Sequence, residues 1–193
     1  MGWRVMKWRG CSSLVGVVVV LVAVFWMAQS LQAGENLPYP KSEVEKQIDG
    51  LPGVQHHGPV LQIPMPEGIS FEDIEFSLES ELAGQNLKLV MTQHLGRAIA
   101  ARQGTPYPAY NIYHICNLTI GEKIISSEPA FGAFLPCKVV LYEEKPGGRV
   151  WAVTYKPAFA LGYFPHIPEE VRKAAIEVGD RMYEILYRLA TDG

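Results

Sequence analysis

The feature that most constrains this chain is a charge-free apolar run at Leu14–Ala28 that follows a short basic tail. The tail carries Arg4, Lys7 and Arg9 and no acidic residue. A basic flank followed by an apolar stretch is typical of a signal peptide or an N-terminal membrane anchor. Because lysine and arginine stay on the cytoplasmic side, we expect the rest of the chain to lie outside the cytoplasm.

The apolar run is compatible with either a cleaved signal or a retained anchor. Its length of about 15 residues fits a signal peptide, and Ala28-Gln29-Ser30 is an acceptable cleavage site. Trp3, Trp8 and Trp26 are placed like interfacial anchors, which favours a tilted membrane helix. We therefore interpret residues 1–32 as a cytoplasmic tail and a transmembrane or signal helix. This predicts a single-pass inner-membrane protein whose domain faces the periplasm, or a secreted periplasmic protein after cleavage.

The next segment, residues 33–55, is rich in Gly, Pro, Lys and Glu and is predicted to be an exposed spacer. Residues 56–193 then form the folded domain. The net charge of −3 offers no basic excess, so no nucleic-acid partner is expected. The sequence contains no haem-attachment motif, phosphate-binding loop or zinc-protease motif, and we predict no cofactor.

The domain begins with local signals of both strands and helices. Val60–Ile63 is a short apolar run ended by prolines, which predicts an edge strand. Ser70 can cap a helix whose apolar residues recur at helical spacing. Those apolar residues are Phe71, Ile74, Leu78 and Leu82.

The second half of the domain has the clearest patterns. Tyr110–Cys116 reads as a strand, and Cys137–Glu143 with Val150–Tyr155 reads as a hairpin. An unbroken apolar stripe after Pro168 predicts a long final helix. The mixed order predicts an α+β fold, a two-layer sandwich with a largely antiparallel sheet and helices on one face.

The segments within Tyr110–Pro157 carry a family resemblance. Cys116-Asn117 ends a strand, Gly132–Cys137 reads Gly-Ala-Phe-Leu-Pro-Cys, and a hairpin follows. This pattern resembles the family called domain of unknown function 302, although the chain has Leu118 where the family usually has proline. The resemblance implies a compact α+β sandwich and implies no activity.

Cys116 and Cys137 are the candidate site residues of the domain. In an exported domain an even cysteine pair predicts a disulfide, worth roughly 3 kcal/mol for a loop of about 20 residues. The resemblance leaves other interpretations open, because cytoplasmic members of that family carry similar cysteines. The pair could be buried inert thiols, or a redox or metal site in which His114, on the same strand face as Cys116, takes part.

Two functional hypotheses follow from these observations. The first is a membrane-tethered periplasmic binding or accessory domain without evident catalysis, which binds a protein partner or a small ligand. The alternative is a thiol-redox or metal-handling protein that uses Cys116 and Cys137. The absence of a recognisable catalytic motif in the sequence favours a non-enzymatic role.

Overall fold

The computed structural model describes residues 41–192. The transmembrane or signal segment predicted at 1–32, and residues 33–40 of the predicted spacer, lie outside the described residues. Within 41–192, no helix is long and apolar enough to cross a membrane. The helices are α1 (Glu43–Asp49), α2 (Phe71–Gly84), α3 (Leu95–Gln103), α4 (Leu118–Ser127) and α5 (Glu169–Thr191). The strands are β1 (Gln55–His57), β2 (Val60–Pro64), β3 (Lys88–His94), β4 (Tyr110–Cys116), β5 (Cys137–Glu143) and β6 (Val150–Tyr155).

The six strands form one sheet in the order β1-β2-β6-β5-β4-β3, and every neighbouring pair is antiparallel. The predicted hairpin is present, with Val139 opposite Thr154 and Leu141 opposite Ala152. Two short 3-10 helices, Pro129–Phe134 and Pro157–Tyr163, connect strands to helices. The α+β class and the antiparallel sheet predicted from the sequence are confirmed.

Strand alternation determines which side of the sheet carries the core. On β4 the buried residues are Asn111, Tyr113 and Ile115, and their neighbours along the strand are only half-buried. Helices α1, α2 and α5 contribute to the hydrophobic core on that buried face. The predicted face of α2 is buried as expected, at Phe71, Ile74, Leu78 and Leu82. The cap is also confirmed, because the Ser70 side chain accepts a hydrogen bond from the Asp73 backbone N–H at 3.1 Å.

The segment predicted as an exposed spacer contains a docked helix. Helix α1 begins with a complete capping box, in which Ser42 and Glu45 satisfy each other's backbone N–H groups. Ile48 of α1 is fully buried in the main core. The folded part of the chain therefore extends at least to Ser42, because burial of an apolar face stabilises a helix too short to be stable alone.

Strand β2 differs from its prediction as an edge strand. It pairs with β6 on one side and with β1 on the other, and β1 occupies the edge. Residues Gln55–His57 of β1 are polar and exposed, so their sequence has no alternating apolar pattern. Pairing with β2, rather than any local preference, makes this segment a strand.

Candidate functional site

The segments that carry the family resemblance meet at one half-open cleft. It lies between the end of β4, helix α4, the first 3-10 helix, the start of β5 and helix α5. Cys116 and Cys137 line it together with apolar side chains such as Ile124, Phe131 and Val178. Its cavity volume is about 20 Å³, enough for about one water molecule, and the space opens to solvent. No charged side chain is among the described residues that line this cleft.

Asn117 anchors the cleft wall formed by α4. Its side-chain Oδ1 accepts a hydrogen bond from the Ile120 backbone N–H at 3.1 Å and caps the helix. Its Nδ2 donates to the Asn86 backbone carbonyl at 3.3 Å, which ties α4 to the turn after α2. Both ends of the amide are therefore engaged in holding the backbone. In the Cys-Asn pair of the sequence motif, Cys116 therefore ends strand β4 and Asn117 caps helix α4.

Close packing of α4 against the sulfur of Cys116 requires a glycine. A Cβ atom added at Gly121 would lie 3.0 Å from Cys116 Sγ. A larger residue would push α4 away from the end of β4 or displace the thiol from the cleft. Gly121 thus sets the separation between the helix and Cys116.

Cys116 and Cys137 are free thiols in the structure, and the disulfide predicted between them is not formed there. Cys137 is buried at the first position of β5, opposite Ile115 in β4, and the cis peptide bond Leu135–Pro136 precedes it. Burial, reinforced by the nearby Cys116, raises the pKa of Cys137 to about 12. Burial also raises the pKa of the half-buried Cys116.

His114 is not among the residues that line the cleft. It pairs with Met91 of β3 and Lys138 of β5, on the strand face opposite Tyr113 and Ile115. Its Nε2 atom is buried and has no hydrogen-bond partner within the described part of the chain. In residues 41–192 no group of three or more His, Cys, Asp or Glu side chains is arranged to hold a metal ion. The structure therefore brings the two cysteines together and leaves His114 apart from them.

A buried ion cluster at the base of β6 was missed by the sequence analysis. The side chain of Lys156 is only 2% exposed, and its Nζ donates to a carboxylate oxygen of Glu45 in α1. Asp180 Oδ1 of α5 lies 3.5 Å from the same Nζ atom. The alternation along β6 could have predicted that Lys156 is buried. Val150, Ala152 and Thr154 are buried, and Lys156 continues their period of two.

A second buried polar network lies between α2 and β4. Tyr113 is fully buried, and its hydroxyl donates to Glu75 Oε1 at 2.7 Å. Asn111 Nδ2 donates to the same oxygen at 3.0 Å, which leaves Asn111 Oδ1 to accept from His94 Nδ1 at 3.1 Å. Burial, reinforced by the bond to Glu75, raises the pKa of Tyr113 above its usual range. This network satisfies polar groups inside the core and connects them to the exposed His94.

Comparisons with known proteins agree with this fold. A family model described as "Domain of unknown function DUF302" matches residues 62–189, which include the whole cleft. An uncharacterized protein of Aquifex aeolicus (strain VF5) is 24% identical over 120 residues, or 62% of this chain and 77% of that protein. A crystal structure of the uncharacterized conserved protein DUF302 from Bacillus stearothermophilus has a TM-score of 0.58 at 18% identity. It covers 69% of this chain and 99% of its own, and it supports the fold alone. The chain therefore belongs to the Domain of unknown function DUF302 family, as the pattern within Tyr110–Pro157 predicted.

Proposed function

We propose that this chain is a non-catalytic binding domain, tethered by its N-terminal segment to the periplasmic face of the inner membrane. The thiol cleft, defined as the space between Cys116 and Cys137, is its ligand site. The observation that carries this proposal is the convergence of the motif segments on one charge-free cleft. Such a site favours a small ligand that has no net charge once it is bound, because apolar walls cannot compensate a charge.

The geometry of the cleft supports binding over catalysis. Among the described residues that line it, the one side-chain amide is that of Asn117, and it already makes hydrogen bonds through both its oxygen and its nitrogen. Burial raises the pKa of both thiols, which lowers the fraction of the nucleophilic thiolate form at neutral pH. Proton transfer or nucleophilic attack would need a charged or freely available polar group beside them. The cavity volume is about 20 Å³, room for about one water-sized group, so the cleft suits only a very small ligand.

Support for the tether comes from the sequence. Arg4, Lys7 and Arg9 precede the charge-free run Leu14–Ala28, and basic residues stay on the cytoplasmic side of a membrane. Protease added to intact spheroplasts should therefore digest the domain, whereas a cytoplasmic marker stays intact. Full protection of the domain in spheroplasts, with digestion only after lysis, would refute the periplasmic location.

Alkylation of Cys116 provides a direct test of the cleft. We would use the full chain in lipid nanodiscs with Cys11→Ser, so that Cys116 and Cys137 are the two remaining thiols, and xenon under pressure as a small apolar probe. Xenon should slow the reaction of Cys116 with N-ethylmaleimide, as followed by peptide mass spectrometry. Ala175→Leu fills the cleft and should remove the dependence on xenon, and Ala98→Leu, on the exposed side of α3, should leave it unchanged. Equal alkylation rates with and without xenon in the unfilled cleft would refute an accessible apolar site.

A further inference from the structure

Cys116 and Cys137 supply two sulfur atoms to the same charge-free space. One comes from the last residue of β4 and the other from the first residue of β5, and α4 lies against the sulfur of Cys116 at Gly121. We propose that these two thiols bind one soft metal ion that prefers two ligands, in the class of Hg(II), Ag(I) and Cu(I). This inference rests on the proposed function, because it names the class of ligand for the same cleft.

The charge balance of the cleft favours such a complex. Each thiol loses its proton when its sulfur binds a metal, so one divalent ion and two thiols give a neutral bis-thiolate and release two protons. Two metal–sulfur bonds form, two sulfur–hydrogen bonds break, and no electron is transferred. A neutral complex suits walls that carry no charge, whereas the same complex of a monovalent ion keeps one negative charge. We therefore expect Hg(II) to be held more tightly than Ag(I).

The number of ligands separates this class of ion from the commoner protein metals. Structural zinc takes four protein ligands, and calcium and magnesium take six or more oxygen ligands including water. Within residues 41–192 no group of three or more His, Cys, Asp or Glu side chains is placed to supply such a set. Thiolates select soft ions, and a pair of them satisfies an ion with linear coordination. Zinc should therefore not be retained by the cleft.

The test uses the full chain with Cys11→Ser in lipid nanodiscs and mercuric chloride as the probe. After gel filtration in the presence of excess free cysteine, metal analysis should find one mercury per chain, and X-ray absorption should show two sulfur neighbours. Cys116→Ser and Cys137→Ser should each lose the metal to the free cysteine. A matched control, Cys116→Ser with Ser126→Cys, keeps two cysteines but places one on the exposed side of α4. It should also lose the metal.

Each outcome has a defined meaning once circular dichroism shows that the variants are folded. Two mercury ions per chain, or retention by either single serine variant, would overturn the shared site. Retention by the control with Ser126→Cys would show that the position of the thiols in the cleft is irrelevant, and would also overturn it. If xenon protects Cys116 but mercury is lost to free cysteine, the metal inference fails and the proposed binding cleft stands. If neither ligand is bound, both proposals fail.

Discussion

The ion pair between Lys156 and Glu45 offers the sharpest test of how this fold is held together. Both side chains are almost fully buried, at 2% and 6% exposure, and they join β6 to the N-terminal helix α1. Removing one partner of a buried ion pair costs about 3–5 kcal/mol, because the other charge stays in the interior without compensation. Asp180 lies 3.5 Å from Lys156 and retains part of that compensation. We therefore expect Glu45→Gln to lower the free energy of unfolding by about 3 kcal/mol, at the lower end of that range.

Glu45→Gln removes the charge and preserves the local structure. Glutamine at this position of a capping box keeps the bond to the Ser42 backbone N–H, so the start of α1 is preserved. For a domain of this size, about 3 kcal/mol corresponds to a fall in Tm of about 6–12 °C. Urea unfolding of the full chain, followed by far-ultraviolet circular dichroism, measures the free energy directly. Glu43→Gln is the matched control, because its exposed ion pair with Lys46 is worth less than about 1 kcal/mol.

A double variant separates charge burial from packing. Glu45→Leu together with Lys156→Met replaces the buried pair by apolar groups, and such replacements are often neutral or stabilising. Because leucine also removes the bond from the Ser42 backbone N–H, we expect the double variant to be less stable than the wild type by about 1 kcal/mol or less, and more stable than Glu45→Gln. The reasoning would be refuted if Glu45→Gln stayed within about 1 kcal/mol of wild type, or if the double variant were less stable than Glu45→Gln.

Three further predictions concern the backbone and the core. Gly96→Ala should destabilise the domain by more than about 2 kcal/mol, because the added Cβ would lie 2.5 Å from the Pro108 carbonyl oxygen. Gly84→Ala, where the added Cβ meets open space, should stabilise the domain by up to about 1 kcal/mol. Asn117→Ala should lower the free energy of unfolding by about 1 kcal/mol, because it removes the cap of α4, whereas Asn117→Asp should retain most of that stability. Equal losses of stability in both variants would contradict the capping role. Since burial raises the pKa of Tyr113, its neutral form stabilises the fold fully below about pH 10, and this stability is lost as pH rises further. Tyr113→Phe should therefore reduce the alkaline loss of unfolding free energy by up to about 1.4 kcal/mol per pH unit above pH 10, and an unchanged slope would contradict this.

Local patterns predicted most of the sheet and its helices. The bounds of β4 and of the β5–β6 hairpin follow from alternation of apolar residues, which depends only on neighbours along the chain. The apolar stripe of α5 likewise predicted a long final helix, which begins at Glu169 directly after Pro168. Each of these patterns reflects burial of one face of a helix or strand. It is therefore visible in the sequence without knowledge of the element against which that face packs.

Features that depend on distant partners were not predicted. Strand β1 exists because it pairs with β2, and its exposed polar residues give no local indication of a strand. A lysine near a strand end is normally solvated. The partner of Lys156, Glu45, lies 111 residues away along the chain, so the local sequence does not predict that Lys156 is buried. The cysteines show the same limit, since an even pair in an exported domain predicted a disulfide and the structure has free thiols.

Helix α1, which supplies Glu45 to the buried ion pair, contributes no residue to the lining of the thiol cleft, whereas Lys156 directly precedes Pro157, which lines it. All residues that line the cleft fall within 62–189, the range that the family model matches. Glu45 and Ile48 lie before that range, yet one neutralises Lys156 and the other is fully buried in the main core. Helix α1 therefore packs on the core from outside the range that the family model matches. Because no residue of α1 lines the cleft, variants of Glu45 should alter stability much more than the environment of Cys116.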